Sequence, residues 1–109
     1  MTRRWPAIPK VIYGAGGPIR VRLIKHVLSD DREACWGTWS AGERVVRLTR
    51  AATLEHRWRT LFHELAHAAL DDSGLTNLFS PAGNEALCDA VANARLQEMR
   101  GALGFHDPQ

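Results

Sequence analysis

The chain has 109 residues, 45% of them hydrophobic and 24% charged, with a formal net charge of +2 at pH 7. That length suits one domain around one core and is too short for two, and the composition is that of an ordinary globular protein. So small an excess of positive charge argues against a nucleic-acid partner: Arg3, Arg4, Lys10, Arg44, Arg47 and Arg50 read as solvated faces and form no basic stripe.

No membrane association or export is expected. No apolar run approaches transmembrane length. Pro6, Pro9, Lys10 and Pro18 interrupt the apolar stretch that a signal peptide would need after Arg3 and Arg4. Cys35 and Cys88 could form at most one bridge, so reduced thiols in a cytoplasmic protein are the expectation.

In chain order, residues 1–10 read as an irregular N-terminal arm of a single domain spanning 1–109. Ile19-Arg20-Val21-Arg22-Leu23 alternates apolar and basic residues, which predicts a half-buried strand continuing to about Val27. His26 falls on that strand as a surface residue. Asp30-Asp31-Arg32 predicts a turn. Cys35 to Trp39 and Arg44 to Thr49 then form a β-hairpin around Ser40-Ala41-Gly42. A first helix is expected over 52–71, ending before Gly74, with Leu54, Trp58, Leu61, Phe62, Leu65 and Ala69 on the side that packs on the sheet. Pro81, Gly83 and Asn84 predict a break, followed by a second helix over 84–100. Its Ala86, Ala90, Val91 and Ala94 would allow close packing. The expected fold class is therefore α+β: a small antiparallel sheet of about three strands, then two helices. Residues 104–109 remain as a tail.

The first helix carries His63-Glu64-Leu65-Ala66-His67, which is His-Glu-x-x-His. Histidines four residues apart stand about one turn apart on one helix face. Their nitrogens can reach a single Zn²⁺ at about 2.0–2.1 Å. Glu64 leaves the helix beside the pair and out of line with it, placed to accept a proton from the attacking water rather than to ligate. A peptidase zinc site needs a third protein ligand and an open fourth position. Glu85, on the second helix, is the candidate. Asp89 stands one turn beyond it, placed to accept a hydrogen bond from the far nitrogen of a ligating histidine. Cys88, three residues from Glu85, reads as a small packing residue.

His63-Glu64-x-x-His67 followed by Asn84-Glu85-Ala86-Leu87-Cys88-Asp89 resembles the gluzincin pattern, and the second element is similar to that of the thermolysin type. At this length the resemblance points to minimal gluzincins and to short phage-encoded or ImmA/IrrE-type metallopeptidases. It covers about the last two-thirds of the chain, from Gly37-Thr38-Trp39 to Arg100. Carried over by position, it implies one Zn²⁺ per chain held by His63, His67 and Glu85, with Glu64 as general base and Asp89 supporting a ligand. It also implies a protein or peptide substrate, a repressor-type regulator among the candidates, cut with narrow specificity. The Tyr and His that stabilise the oxyanion in larger relatives have no counterpart at the level of motif. Tyr13, His56 and His106 are the candidates for that role. His106 and Asp107 of the tail could also fold back onto the metal and make the protein latent. The strand from Cys35 to Trp39 is a candidate sheet edge for an extended substrate. Two other readings stand beside the peptidase: a zinc-stabilised binding module that does not cut, and a metal-free domain with chance histidines. A His₂-carboxylate set suits Fe, Mn or Co as well as zinc.

Overall fold

The computed structural model describes residues 4–29 and 34–105. The turn expected at Asp30-Asp31-Arg32, and the tail residues His106 and Asp107, lie outside the described residues. The elements are β1 (Val11–Gly14), β2 (Gly17–Ile24), β3 (Val27–Leu28), β4 (Ala34–Cys35), β5 (Gly37–Ser40), β6 (Val45–Thr49), α1 (Leu54–Asp72), a 3₁₀ turn (Thr76–Leu78) and α2 (Pro81–Leu103). This is an α+β fold with a small, mostly antiparallel sheet and two helices, the class the sequence predicts.

The sheet has four strands in the order β1-β2-β6-β5, and β3 pairs with β4 in a separate ribbon. The expected hairpin is present over Gly37–Ser40 and Val45–Thr49, with Gly37 opposite Leu48 and Trp39 opposite Val46, but Cys35, expected at its start, belongs to β4 and pairs with Val27. Three other features differ from expectation. β1 adds a strand, antiparallel to β2, and β2 runs parallel to β6, with Val21 beside Val46. The long strand expected to reach Val27 stops at Ile24, and Val27 belongs to β3. Residues 4–10 of the N-terminal arm are irregular but docked: Trp58 Nε1 donates to the Pro6 carbonyl at 2.8 Å, and Ile8 packs against the core.

One face of the sheet meets α1 around Ile19, Val21, Val46, Leu48, Leu61 and Ala68. Trp58 and Leu65 pack against this cluster as expected, whereas Ala69 is exposed and Ala68 takes its place in the core. Phe62 is half-buried, against Trp58 on one side and under the Arg95 guanidinium of α2 on the other. Leu61 is fully buried. Leu61→Ala is expected to cost about 2–5 kcal/mol, the transfer of the lost atoms plus the cavity they leave. The shift of the urea midpoint at unchanged slope measures it.

α1 begins where the Thr53 side chain accepts from the His56 N–H. α2 starts earlier than predicted. Pro81 occupies the first turn, where its missing N–H is no loss, and the Ser80 hydroxyl accepts from Gly83 N–H. Gly104, in the left-handed region at φ 83°, closes it. The packing face of α2 is also not the one expected. Asn84, Cys88, Ala92 and Leu96, at four-residue spacing, are buried, while Ala86, Ala90, Val91 and Ala94 are exposed. Ala86, Ala90 and Ala94 are each offset by two residues from the buried set, about 200° around a helix. Alanine is tolerated on either face, so it did not mark the buried one.

Among the described residues no helix is long and apolar enough to cross a membrane.

Candidate metal centre

α1 and α2 lie against each other, and a polar seam runs along their contact. On α1, Arg59, His63 and His67 follow at four-residue spacing and share one face. On α2, Glu85, Asp89 and Asn93 do the same. His67 Nε2 is 2.8 Å from Glu85 Oε1, and His63 Nε2 is 3.1 Å from Glu85 Oε2. The two Nε2 atoms are 3.2 Å apart. His63 Nδ1 is 2.8 Å from Asp89 Oδ1. Arg59 Nε donates to Asn93 Oδ1 at 3.0 Å.

This geometry suits a cation. An ionised Asp89 accepts only, so the His63 proton sits on Nδ1 and leaves the Nε2 lone pair pointing at Glu85 and His67. In the tautomer that leaves His67 Nε2 without its proton as well, three acceptor atoms face one point, and a positive charge among them would relieve their repulsion. Their spacing also fits one: ligands at about 2.05 Å in a tetrahedron stand about 3.3 Å apart. His63, His67 and Glu85 therefore form a group that could hold a metal ion. The donor set of two imidazoles and a carboxylate suits first-row divalent metals. Asp89→Asn, which cannot hold His63 as firmly through an ionised acceptor, is expected to weaken metal affinity about 10–100-fold. Competition with a chromogenic chelator measures that loss.

Glu64 is buried and projects beside this group, 3.9 Å from His63 Nε2. Burial pushes its carboxyl from an ordinary 4.5 up to about 7; nearby His63 pulls it down and Glu85 pushes it up. A carboxylate poised near neutrality is what proton transfer to and from water requires. Burial also pushes the Cys88 thiol up to about 11, with Glu85, Glu64 and Asp89 adding to the effect. Cys88 is fully buried and stays protonated, a packing residue and not a ligand.

The site opens into a cavity of about 490 Å³ between α1 and β5. Gly37 permits the close approach of strand to helix: a Cβ there would lie 2.5 Å from Thr60 Cγ2 and 3.0 Å from the Arg47 carbonyl. β5 is the last strand of its sheet. Thr49 N–H donates to the Trp36 carbonyl, so by alternation the backbone groups of Gly37 and Trp39 face away from β6, toward the outer edge, where the Gly37 carbonyl accepts from the Cys35 thiol at 3.5 Å. Thr60 lines the cavity one turn before Glu64, and its buried hydroxyl oxygen lacks a hydrogen-bond partner in the chain.

The structure thus brings together His63, Glu64, His67, Glu85 and Asp89. Of the oxyanion candidates, His56 lines the cavity and stacks at 4.5 Å against Trp36. Tyr13 is 84% exposed and lies outside it. His26 is exposed, as expected. Arg59 also lines the cavity and was missed by the sequence reading; its place one turn before His63 was the available signal.

No family model matches this chain, and no curated protein and no solved structure matches it. The assignment of chemistry therefore rests on the site itself.

Proposed function

We propose that this protein is a zinc-dependent metalloendopeptidase of the minimal gluzincin type. The observation that carries the reading is the convergence of the His63, His67 and Glu85 ligand atoms beside a buried, proton-accepting Glu64, in a cavity under an outer strand edge. Bound zinc would supply a lowered pKa for water and polarisation of the scissile carbonyl. His63, His67 and Glu85 would hold it, and Asp89 would fix the His63 ring. Glu64 accepts the proton of the attacking water and returns it to the departing amine nitrogen. The peptide lies extended along β5, accepting and donating backbone hydrogen bonds at Gly37 and Trp39. His56 and Arg59, the cationic or proton-donating groups that line the cavity, are nearest at hand for the carbonyl oxygen as its charge grows. The reading places the protein in the cytoplasm with Cys35 and Cys88 reduced, acting on a narrow class of protein substrate such as a repressor-type regulator.

A second reading, a zinc-held protein-binding module that does not cut, is favoured by one observation: no tyrosine lines the cavity among the described residues. Incubating the zinc-loaded protein with a proteome-derived peptide library, beside the Glu64→Gln form, separates the two. Cleavage present only with Glu64 supports the peptidase; peptides retained by both forms and cut by neither support the module.

A further inference from the structure

Three depressions on this molecule share walls, and two of them carry charge of one sign. The metal cavity meets a second cavity, of about 790 Å³, at Cys35 and Trp36. The second meets a groove of about 660 Å³ along β1 and β2 at Arg50. The walls of the second cavity include Val27, Ala34 and Ala51, and its cationic or titratable groups are Lys25, His26 and Arg50. Lys10, Arg20 and Arg22 line the groove with Arg50. Among the described residues no Asp or Glu lines either one.

These cations differ from others on the molecule. Arg44, Arg47, Arg59, Arg95 and Arg100 each stand beside a carboxylate. Lys10, Arg20, Arg22, Lys25 and Arg50 have no acidic partner among the described residues. Cations on adjoining surfaces repel one another, and among the described residues no carboxylate neutralises these five.

We propose that this cationic track is an exosite for an acidic segment of a protein substrate, leading from the metal cavity over Trp36 into the second cavity and onto β2. Its link to cleavage rests on the peptidase reading; its binding of the acidic segment does not. Three observations favour polypeptide over nucleic acid. The track departs from the outer edge of β5, where the backbone groups of Gly37 and Trp39 face away from β6 at the repeat of an extended peptide, although the Gly37 carbonyl also accepts from the Cys35 thiol. The second cavity has apolar walls beneath its cations, which suits an apolar side chain flanked by carboxylates. Arg20 and Arg22 stand on one face of β2 at alternate positions, about 6.7 Å apart along the strand, which is also the repeat of alternate side chains in an extended peptide. A net charge of +2 suits a short acidic segment better than a duplex carrying one charge per about 1.7 Å.

The test is fluorescence anisotropy with zinc-loaded Glu64→Gln protein, which removes turnover. The probe is a labelled peptide of roughly ten residues with Glu and Leu alternating; the controls are the same peptide with Gln for Glu and a single-stranded oligonucleotide of matched charge. The Glu peptide is expected to bind about tenfold or more tighter than the Gln peptide, and to weaken as salt rises. Lys25→Gln with Arg50→Gln, and separately Arg20→Gln with Arg22→Gln, should each reduce that affinity about tenfold. Arg95→Gln, outside the track, should not. Circular dichroism of each variant verifies that it is folded, and the two pairs are independent arms should one fail. Equal binding of the two peptides, or no response to either track pair, would overturn the exosite; an oligonucleotide that outcompetes the Glu peptide would reassign the surface to nucleic acid. Metal content of the wild-type protein is measured alongside. Selective acidic binding by a chain that takes up no metal removes the peptidase and keeps the binding surface. Metal and cleavage without selective acidic binding remove the exosite alone.

Discussion

Glu64→Gln is expected to abolish peptide hydrolysis, by at least about 10²–10⁴-fold, with metal content unchanged. Gln keeps the shape and some hydrogen bonding but cannot accept the water's proton. Glu64 is not one of the three converging ligand atoms, so metal should stay. The same substitution has a second expected effect, opposite in sign for the fold. In the metal-free protein the Glu64 carboxyl is raised to about 7, chiefly because burial disfavours its charge. A carboxyl whose folded pKa lies above its unfolded value holds its full contribution below the unfolded value. It loses that contribution as pH rises through the folded one. Metal-free protein should therefore lose stability between about pH 4.5 and pH 7, on the order of a few kcal/mol at about 1.36 kcal/mol per unit. Metal-free Glu64→Gln should lack this loss and melt higher than the parent at pH 8. Thermal melts of both proteins from pH 4 to 9, with chelator present, measure the difference. If the parent shows no such decline relative to the Gln form, the buried charge at Glu64 is relieved by some other contact. Residual cleavage by the Gln form comparable to wild type would remove Glu64 from the mechanism.

His63→Ala is expected to strip the metal from the protein and to loosen α2 from α1. His63 faces Glu85 through Nε2 and Asp89 through Nδ1, so its loss takes both a ligand and the hydrogen bond that orients it. Elemental mass spectrometry should find about one zinc per wild-type chain and little in the variant. Metal that binds the folded state alone stabilises by RT ln(1 + [L]/Kd), about 4 kcal/mol at a thousandfold excess over Kd. Wild type should lose about that much on adding chelator, and His63→Ala should be insensitive to it. Wild-type protein that holds no zinc, and takes none up when it is supplied, would sink the peptidase and the zinc module together.

The legible part of this chain was its local part. His63 and His67 announced themselves because one helical turn is a fixed spacing, and Glu85 with Asp89 repeat that spacing on α2. The turn around Ser40-Ala41-Gly42 gave the β5–β6 pairing for the same reason. What was illegible was long-range. Nothing in the alternation of β2 tells which direction its neighbour runs, so the parallel pairing with β6 stayed hidden. The helix face of α2 was misjudged because its buried stripe includes a polar Asn84 and a thiol, while the alanines suit either side. Pro81 read as a break when it is a start. Lys10 and Arg50 read as solvated faces, and Arg20 and Arg22 as the basic positions of a half-buried strand; the parallel β2–β6 pairing is what draws β2 and the residues after β6 together.

On the metal-binding reading, the position of α2 ties completion of the site to completion of the fold. That helix packs on α1 and has no comparable contact with the sheet; at its far end Phe105 stacks on Trp5 and Arg100 pairs with Glu55. The sheet and α1 can form a core without it, and they carry two of the three ligand atoms. The third, on Glu85, comes with α2, the outer layer. An ion caught early by the two histidines can then draw that layer in, so assembly of the site and completion of the fold become one event. Scarcity of metal would show first as opening of α2, while the sheet keeps its protection against hydrogen exchange.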